Sequence, residues 1–219
     1  MNKFGSDCVP SDLNNDLFSC ELKLSYKPIY DIASRVLDIF LSLLFLILTS
    51  PIVFMTAVAI KFEDGGPVFY NQIRTGKDGI HFTIYKMRSM KISCCQTSDT
   101  VTKVGDARIT TVGKFIRKTR IDEIPQLLLV LSGKMKFIGP RPLVPEQIEE
   151  FSLNLPEFKN RLVIKPGLTG LAQISGGNDL TPVEKLILDV EYINHRSFVL
   201  DFKIIWKTVG VVISGYGAR

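Results

Sequence analysis

The stretch "IFLSLLFLILTSPIVFMTAVAI", Ile39 to Ile60, runs for 22 residues without a charge. At about 1.5 Å per residue, a straight helix of that length reaches about 33 Å, enough to cross the core of a bilayer. A chain of 219 residues makes one domain of ordinary size, and its core has little room for a helix that is apolar on every side. The segment therefore predicts a membrane location. It is not read as a secretory signal, because residues 1–25 are polar and rich in Asn, Asp and Ser. No basic region there leads directly into the apolar run. Residues 1–25 predict a polar N-terminal tail.

Ser50-Pro51 interrupts the apolar run near its middle. A proline inside a helix removes one ladder hydrogen bond and clashes with the preceding turn, so a kink is expected there. The two halves, Ile39–Thr49 and Pro51–Ile60, are each about 15–17 Å long. Two arrangements satisfy these residues: a single kinked span, or a helix that enters the membrane and returns to the same face. Basic residues flank both ends, Lys27 and Arg35 before and Lys61, Arg74 and Lys77 after. Basic flanks favour the cytoplasmic side.

Past Lys61 the texture changes to that of an α+β body. Gly65-Gly66-Pro67 is a turn, "VFYNQIR" and "IHFTIYKMR" read as strands, and "TGKDG" between them reads as a hairpin turn. Residues 93–108 predict a surface loop, and "TTVGKFIRKTR" a short basic helix. In "TRIDEIPQ", Asp122 and Glu123 read as the first turn of the apolar helix Leu127–Leu131, closed by Ser132-Gly133. "KPGLTG" reads as a turn. His81 and His195 read as structural, in a strand and a polar connection. This gives three parts: a tail over 1–25, a membrane helix over 26–62 and a catalytic or binding body over 63–219.

The formal net charge of +5 favours a polyanionic partner. Aromatic residues do not alternate with the basic ones, as a nucleic-acid stacking platform requires, so nucleic acid is excluded as the expected partner. Cys8, Cys20, Cys94 and Cys95 show neither zinc spacing nor a disulfide framework and read as reduced thiols. No lysine sits in a nucleotide-binding glycine loop.

The residues that suit phosphoryl chemistry are Asp122 and Glu123 as carboxylates, with basic residues close by in sequence. Phosphoryl transfer needs cations to neutralise phosphate, a positioned nucleophile and usually Mg²⁺. Arg117 lies five residues before Asp122. Arg141 stands between two prolines in "IGPRPLVP", which limits the entropy lost when its guanidinium binds.

These blocks occur in a fixed order. The Ser-Pro membrane segment is followed by "GGPVFYNQIRTGKDGIHFTIYKMRSM", "ARITTVGKFIRKTRIDEIPQLLLVLSGKM", "FIGPRPLVPE", "KPGLTGLAQISG" and "LDVEYINHRSFVLDFKIIWKT". In that order the chain resembles the bacterial sugar transferase family, the monotopic polyprenol-phosphate phosphoglycosyl transferases, over residues 27–214. The resemblance implies transfer of a hexose-1-phosphate from a UDP-sugar to a polyprenol phosphate, usually undecaprenyl phosphate, with release of UMP. It implies dependence on Mg²⁺, held by Asp122 and Glu123, and a covalent phosphosugar on Asp122. It further implies that Lys86, Arg88, Arg117 and Arg141 bind substrate phosphate and that Asp189 matches another acidic site position. The membrane helix would be re-entrant, broken at Ser50 and Pro51, and the body would face the cytoplasm on the inner membrane, against anionic lipid. The chain would be of the small type, without additional N-terminal domains, acting at the first membrane step of exopolysaccharide or capsule assembly.

The chain departs from the family pattern at Arg120-Ile121, where Ser-Leu is usual, and at Leu129, Lys134, Lys136 and Gly177. These departures keep open a second reading, a membrane-anchored interaction or regulatory module that has the fold without turnover. The C-terminal stretch Leu200–Ser214 has Phe202, Ile205, Trp206, Val209, Val212 and Ile213 at helical spacing, with Lys203 and Lys207 on another face. It reads either as an amphipathic helix packed on the body or as a helix at the membrane surface.

Overall fold

In the computed structural model, residues 21–91 and 106–214 are described. The four cysteines and most of the expected loop over 93–108 lie outside them. Helix α1 runs from Pro28 to Asp64, two residues beyond the expected boundary, with Pro51 inside it. Proline at position 51 leaves the carbonyl of Ile47 without its ladder donor. The Ser50 hydroxyl takes that place, donating to Ile47 O at 2.8 Å, while Thr49 donates to Phe45 O at 2.6 Å. Ser50-Pro51 is thus a self-satisfied break in the ladder.

Most of the apolar surface of α1 has no partner among the described residues. Phe40, Leu43, Ile47, Leu48, Phe54 and Met55 are all exposed. Exposure of that kind over so long an apolar helix is compatible with membrane association. Both halves nonetheless dock on the same body. Before the break, Arg35 donates to the carbonyls of Val130 and Leu131 at 2.6 and 2.7 Å, and Asp38 accepts from Phe137 N at 3.2 Å. After it, Ile60 packs with Met87 and Ile116.

The body begins with an antiparallel hairpin, β1 (Phe69–Thr75) and β2 (His81–Met87), in the register Tyr70 opposite Lys86 and Thr75 opposite His81. Asp78 and Gly79 in the intervening turn have positive φ, as a tight hairpin demands. The basic helix α2 (Thr111–Lys118) follows, its N-terminus capped by Thr110, whose hydroxyl accepts from Gly113 N. The two acids are not in the first turn of an α-helix. They lie in a separate 3₁₀ segment, Ile121–Gln126, which leads into α3 (Leu127–Leu131). Pro125 fits this tighter segment, where its missing N–H costs little.

Strand β3 (Lys136–Ile138) pairs in parallel with β4 (Gly167–Thr169). The latter falls in "KPGLTG", read from sequence as a turn. A three-residue strand flanked by Pro and Gly gives no alternating pattern to read. Gly167 is required there, since a Cβ on it would stand 2.1 Å from the backbone N of Gly139. Between the two strands run α4 (Pro145–Asn154) and the 3₁₀ segment Pro156–Val163. Helices α5 (Leu171–Ser175), α6 (Pro182–His195) and α7 (Phe198–Ser214) complete the body. His195 is the last residue of α6 rather than part of a connection.

One apolar cluster joins Ile138 and Ile164 to Tyr192, Ile193 and Ile204, and another joins Phe158 to Leu186 and Val190. Asp201 on α7 accepts from Tyr30 OH at 2.7 Å and Tyr192 OH at 3.0 Å, which ties α1, α6 and α7 together. Of the expected tail, residues 21–25 touch the body: Lys23 N donates to Asn194 at 2.7 Å, and Leu22 packs on the cluster around Ile138.

The apolar stripe of α7 faces outward. Trp206 is 73 % exposed, and Phe202, Ile205 and Val209 are exposed as well, whereas Ile204, outside the stripe, is fully buried. Buried Ile204, partly buried Leu200 and the hydrogen bonds of Asp201 and Thr208 dock the helix, and among the described residues nothing covers the stripe.

Candidate active site

The chain enters the dyad segment through Arg120, which has φ of 58° in the left-handed region. That conformation costs a non-glycine residue about 1–2 kcal/mol, and here it turns the chain sharply out of α2 so that Asp122 points inward. Asp122 is 8 % exposed, and among the described residues its Oδ1 has no hydrogen-bond partner. Burial first, and then the charge of Glu123, push its carboxyl up to about 6, with Lys86, Arg117 and Arg120 pulling the other way.

Glu123 has the opposite surroundings. Its Oε1 accepts from Lys86 Nζ at 2.6 Å and from Arg141 Nη2 at 2.7 Å. Burial works against its charge, but Arg141 and Lys86 outweigh it and hold the carboxyl well below the ordinary range. The dyad therefore contains one carboxylate neutralised by two cations and one that is buried with an oxygen unclaimed.

Two of the elements that bring these groups together, β2 and α2, rest on the end of α1. Lys86 is on β2, and strand alternation sends its neighbour Met87 to the opposite face, into the cluster with Ile60. Arg117 is on α2, next to Ile116 of the same cluster. Its Nε donates to Ser89 Oγ at 2.7 Å, and α2 sits directly on that segment, since a Cβ on Gly113 would stand 2.0 Å from Ser89 O. The last residues of α1 fix both elements. Glu63 accepts from the free N–H of Thr111 at 2.7 Å at the start of α2, and Asp64 pairs with Arg88 through both guanidinium nitrogens.

Of the residues expected at the site, Asp122, Glu123, Lys86 and Arg141 are in direct contact or adjoining, and Arg117 contributes its charge to Asp122. Arg88 is buried and committed to Asp64. Asp189 is buried on α6 in an ion pair with Arg161 at 2.7 Å, away from the dyad's own contacts. Ser50 and Pro51 are in α1. Arg161, Glu63 and Asp64 gave no signal in the sequence, since single charges in ordinary stretches point nowhere until the fold supplies their partners. A cleft of about 400 Å³ lined by Thr75, His81, Ile148 and Lys159 lies between the hairpin turn and α4 and holds neither acid.

The departures from the family pattern have local reasons. Leu129 is in the apolar cluster with Phe82 and Ile84. Lys136 donates to Ser34 on α1 at 2.8 Å. Gly177 has φ of 59°, which an L side chain rarely adopts. Lys134 is exposed. Arg120 and Ile121 are the departures that adjoin the dyad, and Ile121 packs on the cluster of Ile60, Met87 and Ile116.

A family model described as bacterial sugar transferase matches residues 29–215. The chain is 41% identical, over 88% of its length, to a UDP-N-acetylgalactosamine-undecaprenyl-phosphate N-acetylgalactosaminephosphotransferase of Aeromonas hydrophila, of which it covers 46%. It is 38% identical over 82% of its length to a UDP-glucose:undecaprenyl-phosphate glucose-1-phosphate transferase of Caulobacter vibrioides, covering 69% of that protein. It is also 34% identical over 88% of its length to the exopolysaccharide production protein ExoY of Sinorhizobium fredii, covering 90%. The chain thus spans about half the length of the Aeromonas protein and most of that of ExoY. With the family model matched over residues 29–215, the chain belongs to the bacterial sugar transferase family.

Proposed function

We propose that the chain transfers a sugar-1-phosphate from a UDP-sugar to a polyprenol phosphate, undecaprenyl phosphate in the relatives' names, and releases UMP. The observation that carries the reading is the asymmetry of the dyad. Asp122 is buried, largely ionised at neutral pH and unpartnered at Oδ1, while Glu123 anchors two cations beside it. A carboxylate is a nucleophile that needs no base once ionised. In the first step an Asp122 oxygen bonds to the phosphorus that bears the sugar, the bond to the bridging oxygen breaks, and UMP leaves. In the second step an oxygen of the polyprenol phosphate attacks the same phosphorus, the acyl-phosphate bond breaks, and Asp122 is restored. Lys86, Arg117 and Arg141 neutralise the phosphate charge in both steps.

Among the described residues no cluster of three or more His, Cys, Asp or Glu is placed to hold a metal. Magnesium needs fewer, because one or two carboxylates commonly bind it together with substrate phosphates. The unclaimed Asp122 Oδ1 fits that use. Asp122 and Glu123 would hold Mg²⁺ with the donor diphosphate, where it would neutralise charge on the phosphate oxygens.

In the membrane, α1 would enter and return on one face, turning at Ser50-Pro51, a reading supported by the docking of both its halves on a single body. The basic flanks make that side the cytoplasmic face of the inner membrane. The exposed stripe of α7 lies in the interface, with Lys203 and Lys207 toward anionic headgroups, so the acceptor phosphate meets the dyad at its own depth. The non-catalytic alternative has no support in the geometry, since the dyad and its cations are assembled. A screen of UDP-sugars for UMP release in the presence of undecaprenyl phosphate and Mg²⁺ tests the proposal. Release with at least one donor is expected, and silence across the panel would count against it.

A further inference from the structure

Arg161 lies in the 3₁₀ segment Pro156–Val163 and is 3 % exposed. Its Nη2 stands 2.7 Å from a carboxylate oxygen of Asp189, which is 2 % exposed on α6. The same nitrogen donates to the backbone carbonyl of Arg141 at 3.0 Å. Burying both members of an ion pair costs several kcal/mol in desolvation, so stability alone is a poor account of it.

The loop that Arg161 touches is held with unusual completeness. Four successive carbonyls each accept a hydrogen bond: Pro140 from Gly167 N at 2.9 Å, Arg141 from Arg161, Pro142 from Arg74 at 3.3 Å, and Leu143 from Thr75 N at 2.9 Å. Three of these loop residues flank or carry the guanidinium that bonds Glu123. The space enclosed by the loop, Thr75 and Arg161 is only about 10 Å³, room for one water at most. A backbone fixed at this density fixes where its side chain begins.

We propose that Arg161 is a positioning residue for the transfer reaction, oriented by Asp189 and acting through the carbonyl of Arg141 on the guanidinium that binds Glu123 and substrate phosphate. The inference rests on the dyad being the transfer centre. It gives Asp189 a role through Arg161 rather than by contact with substrate, and it names Arg161 as the link between the core of α6 and the dyad.

The test is a double-mutant cycle on the full chain in nanodiscs. Replacing the pair together, Arg161→Met with Asp189→Leu, removes both buried charges and avoids stranding one of them. This variant should lower kcat/KM for the donor by about 10- to 100-fold. In an Arg141→Met background the same replacement should cost less than about 3-fold, because its path to the dyad is already cut. A purely structural pair would lower activity equally in both backgrounds, and that result, or full activity in the pair variant, would overturn the proposal. If the pair variant does not fold, Arg161→Lys decides. It keeps a cation opposite Asp189, but the shorter lysine stem falls short of the point where Nη2 meets both Asp189 and the Arg141 carbonyl, and wild-type kcat/KM in this variant would overturn the proposal. UDP affinity measured by calorimetry on the same set reads the relay without turnover. A wild-type chain that binds UDP with the expected cycle but releases no UMP would count against the transferase reading and leave the relay standing.

Discussion

Asp122 and Glu123 adjoin in sequence and differ in their surroundings: Glu123 Oε1 takes hydrogen bonds from both Lys86 and Arg141, and Asp122 Oδ1 takes none among the described residues. The two acids should therefore respond in opposite ways to neutralisation. In the fold the Asp122 carboxyl titrates near about 6, above its ordinary 3.8. Its ionisation therefore costs stability as pH rises through that window. Asp122→Asn escapes the cost and should stabilise the fold at pH 8 by on the order of 1–3 kcal/mol. The gain should disappear below about pH 4, where both forms are uncharged. Thermal melts against pH would show it, and UMP release should fall by orders of magnitude in the same variant.

Glu123 has a depressed carboxyl, so its stabilising effect is present above the ordinary carboxylate range and is lost as pH falls through the folded value. Glu123→Gln leaves Lys86 and Arg141 without their counter-charge and should destabilise by about 1–3 kcal/mol at neutral pH. Equal melting temperatures for this variant and the parent at pH 7.5 would contradict the pairing.

Activity should rise with pH through an acid limb near about 6, because the attacking carboxylate must be ionised. Arg120 is one of the cations that lower this value. Arg120→Ser should move the limb to higher pH without abolishing turnover. A limb that stays in place, or moves down, would separate it from Asp122.

Much of this site was legible before the fold was known. The dyad, Lys86 and Arg141 were found because acids, cations and prolines stood in family order, and the hairpin because its strands alternate around a Gly-containing turn. The 3₁₀ geometry of Ile121–Gln126 was not readable, since a tight turn and a first helical turn favour the same acids and proline. Strand β4 was missed because three residues carry no period. Arg161 was invisible for another reason: a buried arginine reads like an exposed one until the fold brings Asp189 and the Arg141 carbonyl to it. Arg88 shows the converse, since its sequence position suggested phosphate and its neighbour in space is Asp64.

The two ends of α1 should label from the same side. With the four native cysteines replaced, single cysteines at exposed positions near Lys27 and near Glu63 should both react with an impermeant reagent in inside-out vesicles and neither in intact cells. Labelling from opposite sides would establish a kinked span. Pro51→Ala restores an N–H for the Ile47 carbonyl, which now takes the Ser50 hydroxyl, and should shift part of the population toward a straight span.

Trp206 is the single tryptophan of the chain and stands exposed on α7. Its fluorescence in full-length protein in bilayers should be blue-shifted and quenched by lipids brominated near the headgroup. Lys203→Gln with Lys207→Gln should reduce that quenching in anionic bilayers, more at low salt than at high. Water-like emission without quenching would place the stripe away from lipid.

The central claim is that Asp122 carries the phosphosugar between donor and acceptor. The direct measurement is mass spectrometry of the chain after incubation with a UDP-sugar that supports turnover and Mg²⁺, with no polyprenol phosphate added. The account predicts about one equivalent of UMP per chain and a sugar-phosphate adduct on the peptide containing Asp122, absent in Asp122→Asn and discharged when polyprenol phosphate is added. UMP release that requires the acceptor, with no adduct at any time, would contradict it and indicate direct transfer between the two substrates.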